Sequence, residues 1–422
     1  MQQHLIALRT RLTRIFFGPP YHPADHHALT PRGTARGIRA VTTVAGLCWL
    51  ALLVGDGVAR LQNPGLKSWR HMQGARILGA HPNLPRQHVP LQPIMADRLN
   101  VASLSAPYAA HEDTTRRWIA TDAEGFVRTA SQPPYEVALC GDSFFTFSVI
   151  GDSLARYLGA SVGNASIAGR GTLSMARFLD APAADFRSAR VVVWERTEGG
   201  INTDEFIRWF DQRRGELRPP ANPVKALYAD WRGSVLWPEN LDKYLTESSP
   251  MRRPLQRTMS ELTWRTLGRR DTTVLLGRRD LPAGVAPMQF LANEEEGLRP
   301  TPLPDADLEA IADRIAQVGQ ALRQRGVVLV FAAGPDKSTI YRERLPAAVP
   351  FRGGFTERLY AALHRRGVRT IDLVTPLRRQ ALAQPTQALY YTTDTHWNPR
   401  GQALAARVMA DSLRPLLRAR LP

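Results

Sequence analysis

The chain has 422 residues, of which 44% are hydrophobic, and a formal net charge of +17. This length suits one large domain or two ordinary ones, and the hydrophobic content excludes a wholly disordered chain. The positive charge favours an anionic partner such as nucleic acid, a membrane surface or an acidic polymer. No dense basic run or RNA-binding signature occurs, so we expect no nucleic-acid binding. The histidines clustered in the N-terminal tail lack metal-ligand spacing, and neither a metal nor a cofactor is predicted.

An apolar segment at residues 40–59 predicts a single membrane-spanning helix. It contains one charged residue, Asp56, and its length at 1.5 Å per residue matches the roughly 30 Å hydrocarbon core of a bilayer. A buried core helix is the alternative, but such helices are usually amphipathic. Residues 1–39 carry six arginines against Asp25. The positive-inside rule therefore puts this basic arm in the cytoplasm, the helix in the inner membrane and the rest of the chain in the periplasm.

Two regions beyond that helix differ in pattern. Residues 60–130 are rich in proline and polar residues, and we interpret them as a membrane-proximal stalk that ends in a β element at 117–129. Residues 131–422 alternate apolar runs with helical segments, which predicts an α/β domain with a mostly parallel sheet and helices on both faces. The predicted strands are 135–140, 160–166, 189–195, 327–333 and 368–373. Weak periodicity over about 203–300 indicates an insertion or cap.

The tripeptide Gly-Asp-Ser occurs twice, at 141–143 and at 151–153. Ser143 directly follows the first predicted strand, at the end of the sheet where α/β proteins place ligands and catalytic groups. Ser153 follows a second candidate strand, but Asp152 and Ser153 are also explained as the N-terminal cap of a short helix. We therefore expect Ser143, and not Ser153, to be a nucleophile.

A serine hydroxyl becomes nucleophilic when an adjacent base takes its proton and a third group orients that base. Asp394 and His396 are the candidates, because residues two apart in an extended loop point the same way and this pair precedes the last predicted helix. Gly169 and Gly171 follow the second strand, where backbone N–H groups can approach a substrate oxyanion closely.

These segments together resemble the SGNH hydrolase superfamily, whose fold is a flavodoxin-like three-layer sandwich. The resemblance is carried by CGDSFF (140–145), NASIAG (164–169) and the Asp-x-His of YYTTDTHWNP (390–399). Within the superfamily the chain is similar to the periplasmic alginate O-acetyltransferases of the AlgJ/AlgX-like, or DHHW, type. VVVWERTE (191–198) and GPDKSTIYRERLP (334–346) carry that closer similarity.

The resemblance implies roles for individual residues. Ser143 is the implied nucleophile that carries the acetyl group, His396 is the general base, and Asp394 is its orienting acid. The main-chain N–H groups of Ser143 and Gly169 are the implied oxyanion donors.

The superfamily also supplies an asparagine side chain to the oxyanion hole after its third strand. Glu198 lies near that place in this chain, and Asn164 or Asn202 is the expected substitute. Four further residues flank the implied site and are candidates for substrate binding: Trp194, Trp397, Lys337 and Tyr341. A tryptophan face can stack on a sugar, although such residues are also common in cores, and the lysine and tyrosine either contact the polymer or hold the loop.

The resemblance implies transfer of acetyl groups to an exported polysaccharide, with a multi-span membrane acyltransferase as the supplier. The basic charge favours an acidic polymer. Two other functions are compatible with the same residues. An esterase would use water as the acceptor, and a catalytically silent polysaccharide-binding scaffold would agree with the missing asparagine.

Overall fold

The computed structural model describes residues 128–418 with some gaps. The gaps are residues 147–148, 168–170, 181–183, 209, 212–273, 292–294, 300 and 393. Before residue 128 it describes 87–90, 116–119 and three helical residues at 43, 44 and 47. The chain divides into two compact units, Met1–Ala59 and Arg60–Pro422. Among the described residues, no helix combines the length and apolar character needed to cross a bilayer. The predicted arm at 1–39 and nearly all of the predicted span at 40–59 lie outside those residues.

The described part of the larger unit contains nine strands. They are β1 (Gln87–Pro90), β2 (Arg116–Ile119), β3 (Val137–Cys140), β4 (Val162–Asn164), β5 (Val191–Thr197), β6 (Val274–Leu276), β7 (Gln289–Leu291), β8 (Val328–Gly334) and β9 (Arg369–Thr370). Five of them form one sheet in the order β4–β3–β5–β8–β9, with every pair parallel. This is the 2-1-3-4-5 order of flavodoxin-like sheets, so the predicted parallel sheet is confirmed.

Two antiparallel pairs lie outside this sheet. β1 pairs with β2, so that His88 lies opposite Trp118, and β6 pairs with β7. The β element predicted at 117–129 begins within the strand Arg116–Ile119, whose partner lies in the proline-rich segment near residue 88. A partner so distant in sequence leaves no local signal. Residues 120–127 of the predicted β element lie outside the described residues, and residues 128 and 129 are not in a strand.

Eight α-helices occur in the described part of the chain. They are α1 (Ser143–Thr146), α2 (Ile150–Leu158), α3 (Gly171–Asp180), α4 (Asp305–Arg323), α5 (Lys337–Ile340), α6 (Phe355–Arg365), α7 (Val374–Ala383) and α8 (Pro399–Arg418). Residues of α3, α4 and α6 pack on one face of the sheet, and residues of α2, α7 and α8 pack on the other. The arrangement is a three-layer sandwich.

The strand sequence explains why both faces are covered. In β5, Val191 and Val193 face the α2, α7 and α8 side, whereas Val192 and Trp194 face the α3, α4 and α6 side. Successive side chains of a strand point to opposite faces, so a strand buried on both sides is apolar at nearly every position. The continuous apolar runs of the sequence are therefore the central strands.

The region predicted as an insertion, about 203–300, joins the domain core at both described ends. Phe206 and Phe210 at its beginning pack into the core that contains α4. Met288 and Phe290 at its end pack into the core on the opposite side of the sheet. Residues 212–273 between these ends are outside the described part.

Candidate active site

Ser143 is the first residue of α1 and lies just beyond the carboxyl end of β3. Its side chain is half-buried, and its Oγ lies 2.7 Å from Nε2 of His396. Because β3 is flanked by β4 and β5 in a parallel sheet, the carboxyl ends of all three strands meet at this edge. Ser143 thus occupies the edge where such sheets bind ligands.

His396 is held from its other side by Asp394. Oδ1 of Asp394 lies 2.6 Å from Nδ1 of His396. The same oxygen also accepts a hydrogen bond of 2.8 Å from the main-chain N–H of His396. Both side chains are buried. With Nδ1–H donating to Asp394, Nε2 is the lone-pair nitrogen that faces the serine hydroxyl. The structure therefore brings the three residues predicted as a catalytic triad into one hydrogen-bonded chain.

Aromatic packing fixes the plane of the imidazole. Phe144, the residue after Ser143, has its ring centroid 4.9 Å from that of His396 and 4.8 Å from that of Trp397. Trp397 is itself buried. Of the two roles left open for Trp397, a sugar contact or a place in the core, its burial and its edge contact with Phe144 support the core.

The loop that carries Asp394 and His396 is closed at its base. Tyr390 and Trp397 form an isolated antiparallel bridge. Asn398 then accepts from the N–H groups of Arg400 at 3.0 Å and Gly401 at 3.1 Å, which makes it the N-cap of α8. These contacts hold both ends of the loop, and they restrict the positions of the Asp394 and His396 side chains.

Lys337 and Tyr341 support the same loop from α5 and its end. The Lys337 ammonium, fully buried, donates to the carbonyls of Gln289 at 2.6 Å and Thr392 at 3.4 Å. The Tyr341 hydroxyl accepts from the main-chain N–H of Leu389 at 2.8 Å. Of the two roles left open by the sequence, the structure supports holding the loop, because neither side chain reaches solvent.

Trp194 is a core residue. It is 0% exposed, and its ring packs against Phe206, Phe210 and Phe331 on the α4 side of the sheet. Its indole N–H donates to the carbonyl of Gly171 at 3.2 Å. Of the two roles left open for Trp194, a substrate contact or a place in the core, its burial supports the core.

The expected oxyanion donors are only partly described. Gly169 lies outside the described residues. Asn164 is buried; its amide donates to the carbonyl of Phe145 at 3.0 Å, and its Oδ1 accepts from the N–H of Ser166 at 3.0 Å. Asn202 donates to the carbonyl of Gly200 and accepts from the N–H of Glu205. Both asparagines thus hold main-chain segments.

Glu198 does not replace the missing asparagine. Its carboxyl oxygens accept from the N–H of Asp336 at 2.9 Å, from the Thr339 hydroxyl at 2.6 Å and from the Thr356 hydroxyl. Burial raises the pKa of Glu198, and burial together with the charges of Glu198 and Glu295 raises the pKa of Asp336 well above its usual range. These carboxyl groups tie β5 to the start of α5, the helix that supports the catalytic loop.

A second polar network holds the turn that bears Ser143, and its members were not predicted from the sequence. The N–H of Asp142 donates to Oε2 of Glu195 at 3.1 Å. Oδ1 of Asp142 accepts from the N–H of Phe144 at 3.1 Å, and Oδ2 accepts from Arg196 and Thr197 at 3.3 Å. The charged residues within and next to apolar β5 were the available signal, because charge there requires buried partners.

Glu195 is the most deeply buried member of this network. Burial, followed by the negative charge of Asp142, raises the pKa of Glu195 well above its ordinary value. A neutral carboxyl still accepts the Asp142 N–H through its carbonyl oxygen. The other oxygen, Oε1, has no hydrogen-bond partner among the described residues.

No group of three or more His, Cys, Asp or Glu side chains in the described part of the chain is arranged to hold a metal ion. The chemistry of the site is set by its polar chain. A serine hydroxyl, an imidazole and a carboxylate that are joined by hydrogen bonds at a sheet edge form the arrangement that activates serine for acyl transfer.

Comparison with known proteins agrees with that chemistry. A family model described as "SGNH hydrolase-like domain, acetyltransferase AlgX" matches residues 290–421. "Probable alginate O-acetylase AlgJ" of Pseudomonas fluorescens is 26% identical over 181 residues, 42% of each chain. Its namesake in Azotobacter vinelandii is 25% identical over 179 residues, also 42% of each.

"Alginate biosynthesis protein AlgX" of Pseudomonas putida is 32% identical over 108 residues, which are 24% of this chain and 22% of the relative. The chain thus spans less than half the length of these relatives. The family match includes the loop with Asp394 and His396, and the sheet order is the one expected for an SGNH-like domain. The C-terminal part of the chain is therefore similar to the SGNH hydrolase-like domain of AlgX, and parts of the chain resemble AlgJ.

Proposed function

We propose that this protein is an O-acetyltransferase that acetylates polysaccharide hydroxyl groups through an acetyl-serine intermediate at Ser143. The observation that carries the proposal is the continuous chain from Ser143 Oγ through His396 to Asp394, with 2.7 Å and 2.6 Å contacts. The relatives' names, which refer to alginate O-acetylation and alginate biosynthesis, support a role in polysaccharide acetylation.

The first half-reaction loads the enzyme. His396 Nε2 takes the hydroxyl proton of Ser143 as Oγ bonds to the acetyl carbonyl carbon, and the carbonyl oxygen becomes an oxyanion. When the intermediate collapses, the bond to the donor breaks and His396 returns the proton to the leaving group. Asp394 stabilises the imidazolium that exists between these events and keeps the ring in the productive tautomer.

The second half-reaction repeats the chemistry with a sugar hydroxyl. His396 removes the proton of that hydroxyl, its oxygen attacks the acetyl-serine carbonyl, and Ser143 leaves with the proton from His396. The N–H of Ser143, together with that of Gly169, is the proposed oxyanion site in both halves. Water in place of the sugar would make the same residues an esterase.

The cellular setting is also part of the proposal. The apolar run at 40–59 and the arginines of 1–39 support a single inner-membrane anchor with the catalytic domain in the periplasm. A multi-span membrane acyltransferase would supply acetyl groups, and the remaining positive charge would favour an acidic polymer. Polymer binding that weakens little when the salt concentration is raised would count against the acidic polymer.

The decisive experiment incubates the full-length protein with a chromogenic acetyl ester, with and without neutral and acidic oligosaccharides. Acetylated oligosaccharide, together with an acetyl group on the Ser143 peptide by mass spectrometry, is the expected result. Release of acetate alone at an unchanged rate in the presence of acceptors would instead show an esterase. Absence of turnover and of an acetylated serine would contradict the proposal and favour a binding scaffold.

A further inference from the structure

A buried ion pair lies immediately before the proposed nucleophile. Nη1 of Arg196 is 3.3 Å from Oδ2 of Asp142, and both side chains are only 5% exposed. The guanidinium is anchored by a second hydrogen bond of 2.8 Å from Nη2 to the carbonyl of Gly200. Its Nε has no partner among the described residues. The pair therefore joins the exit of β5 to the turn that carries Ser143.

Arg196 also reaches the start of α3. A β-carbon built on Gly171 would lie 2.9 Å from Nη1 of Arg196 and 3.2 Å from the main-chain nitrogen of Asp142. The guanidinium, the first residue of α3 and the Ser143 turn thus converge on one point. A side chain at position 171 would require the Arg196 side chain to shift.

The charge of Asp142 poses a problem for the proposed reaction. Acylation of Ser143 passes through an oxyanion, and a carboxylate one residue away would oppose that negative charge in buried surroundings, where solvent screens little. The Asp142 side chain is nevertheless needed in the turn, because its Oδ1 accepts a hydrogen bond from the N–H of Phe144 and so shapes the turn around Ser143.

We propose that Arg196 is a positioning residue of the acyl-transfer site, which neutralises Asp142 so that negative charge can develop at acylating Ser143. The inference rests on the proposed function. Arg196 touches neither Ser143 nor His396 in any described contact, and it acts through the Asp142 carboxylate and the turn. Arginine is favoured at this position because its planar guanidinium can donate to Asp142 and to the Gly200 carbonyl at the same time.

A charge-removal cycle in the full-length protein tests this. Arg196→Gln, Asp142→Asn and the double variant are compared with wild type, with 4-nitrophenyl acetate as substrate and with a fluorophosphonate that forms a P–O bond to the serine as fluoride leaves. Arg190→Gln is the matched control, because Arg190 precedes β5 at its opposite end and donates to the carbonyl of Leu417. Thermal unfolding is recorded for every variant.

We expect Arg196→Gln to lower kcat and the fluorophosphonate labelling rate by about tenfold or more, the scale of one unit charge within a few ångströms. KM should change little, because the oxyanion exists only in the transition state. The double variant should recover most of the lost rate, since it removes the opposing charge as well. Arg190→Gln should match wild type in kcat.

Three results would overturn the inference. One is an Arg196→Gln enzyme as fast as wild type, and another is a double variant as slow as the single one. The third is a loss in Arg196→Gln that appears in KM alone. If Arg196→Gln does not fold, Arg196→Lys keeps the charge without the fork and should retain most of kcat; loss of kcat in a folded Arg196→Lys would contradict the charge argument. A wild type that neither turns over ester nor reacts with fluorophosphonate would instead remove the proposed function itself.

Discussion

The two Gly-Asp-Ser segments have the same sequence and opposite surroundings. In the first, Ser143 begins a short helix at the sheet edge and its hydroxyl meets His396 at 2.7 Å. In the second, Ser153 is the fourth residue of α2, buried against the body of the domain. The difference shows that the tripeptide alone does not decide where a serine lies, because only the copy at the end of a strand has a histidine within hydrogen-bonding distance.

Exchange of each serine for alanine gives the largest expected difference between the two segments. Ser143→Ala should lower the rate of acetyl transfer by about 10⁴-fold or more, because the nucleophile is lost. Ser153→Ala should keep the wild-type rate, since Ser153 belongs to a helix interior. Steady-state kinetics and mass spectrometry of the serine peptides provide the measurement. An inactive but folded Ser153→Ala with an active Ser143→Ala would reverse the assignment.

The sequence predicted the parallel sheet, and the structure brings together the three residues that the sequence singled out as Ser143, Asp394 and His396. Apolar runs such as β5 and β8 are long, β-branched and followed by helices, so their parallel pairing is nearly forced. Asp394 and His396 lie two apart before a capped helix. The strands and the Asp394–His396 pair are local patterns, whereas the pairing of Ser143 with His396, 253 residues away, came from the resemblance to a known family.

What the sequence did not predict depends on contacts far apart in the chain. Glu195 and Arg196 meet Asp142 more than fifty residues away, and the charges of β5 indicate buried partners without showing which residues they are. Trp194 was expected at the site, but strand alternation puts it on the face covered by α4, and sequence alone does not say which face is which. Asp152 and Ser153 were expected to cap α2, yet the helix begins earlier, at Ile150, with Val149 as its cap.

The two glycines provide the second test. A β-carbon on Gly141 would lie 2.5 Å from Oε2 of Glu195, whereas one on Gly151 would lie 2.8 Å from a methyl group of Thr129. Gly141→Ala should lower the free energy of unfolding by about 1–3 kcal/mol through overpacking, and should lower kcat because the Ser143 turn shifts. Urea unfolding and ester turnover measure the two effects.

Gly151→Ala is the matched control for that change. Alanine is favoured over glycine inside a helix by about 1 kcal/mol, and the Thr129 side chain is only half-buried and can move. We expect a free energy of unfolding within about 1 kcal/mol of wild type and an unchanged kcat. Equal losses of kcat in the two variants would contradict the distinction between the segments.

The buried carboxyl facing the first segment gives a smaller, pH-dependent effect. Because the pKa of Glu195 is raised in the folded state above its ordinary value of 4.5, the native protein retains a proton that the unfolded chain releases. The stabilising contribution is present below that ordinary value and is lost as pH rises toward the folded pKa. Glu195→Gln does not titrate, so its stability relative to wild type should increase steadily from acidic to neutral pH.

Urea unfolding of wild type and Glu195→Gln at several pH values checks this sign. Glutamine also reproduces the acceptor oxygen for the Asp142 N–H, so Ser143 should remain reactive toward fluorophosphonate. A stability difference independent of pH, or one that moves in favour of wild type as pH rises, would show that Glu195 is charged in the native protein.

The smallest expected effect belongs to the aspartate of the second segment. Asp152 accepts a hydrogen bond of 2.7 Å from the N–H of Ala130 at an exposed position and lies in the first turn of α2. Asp152→Asn keeps an acceptor oxygen but removes a negative charge from a helix N-terminus, which costs about 0.3–1 kcal/mol in unfolding free energy. Its kcat should equal that of wild type. A measurable loss of kcat in this variant, at full folding, would mean that the second segment takes part in the chemistry after all, and that the environment of Ser143 alone does not explain why one copy reacts.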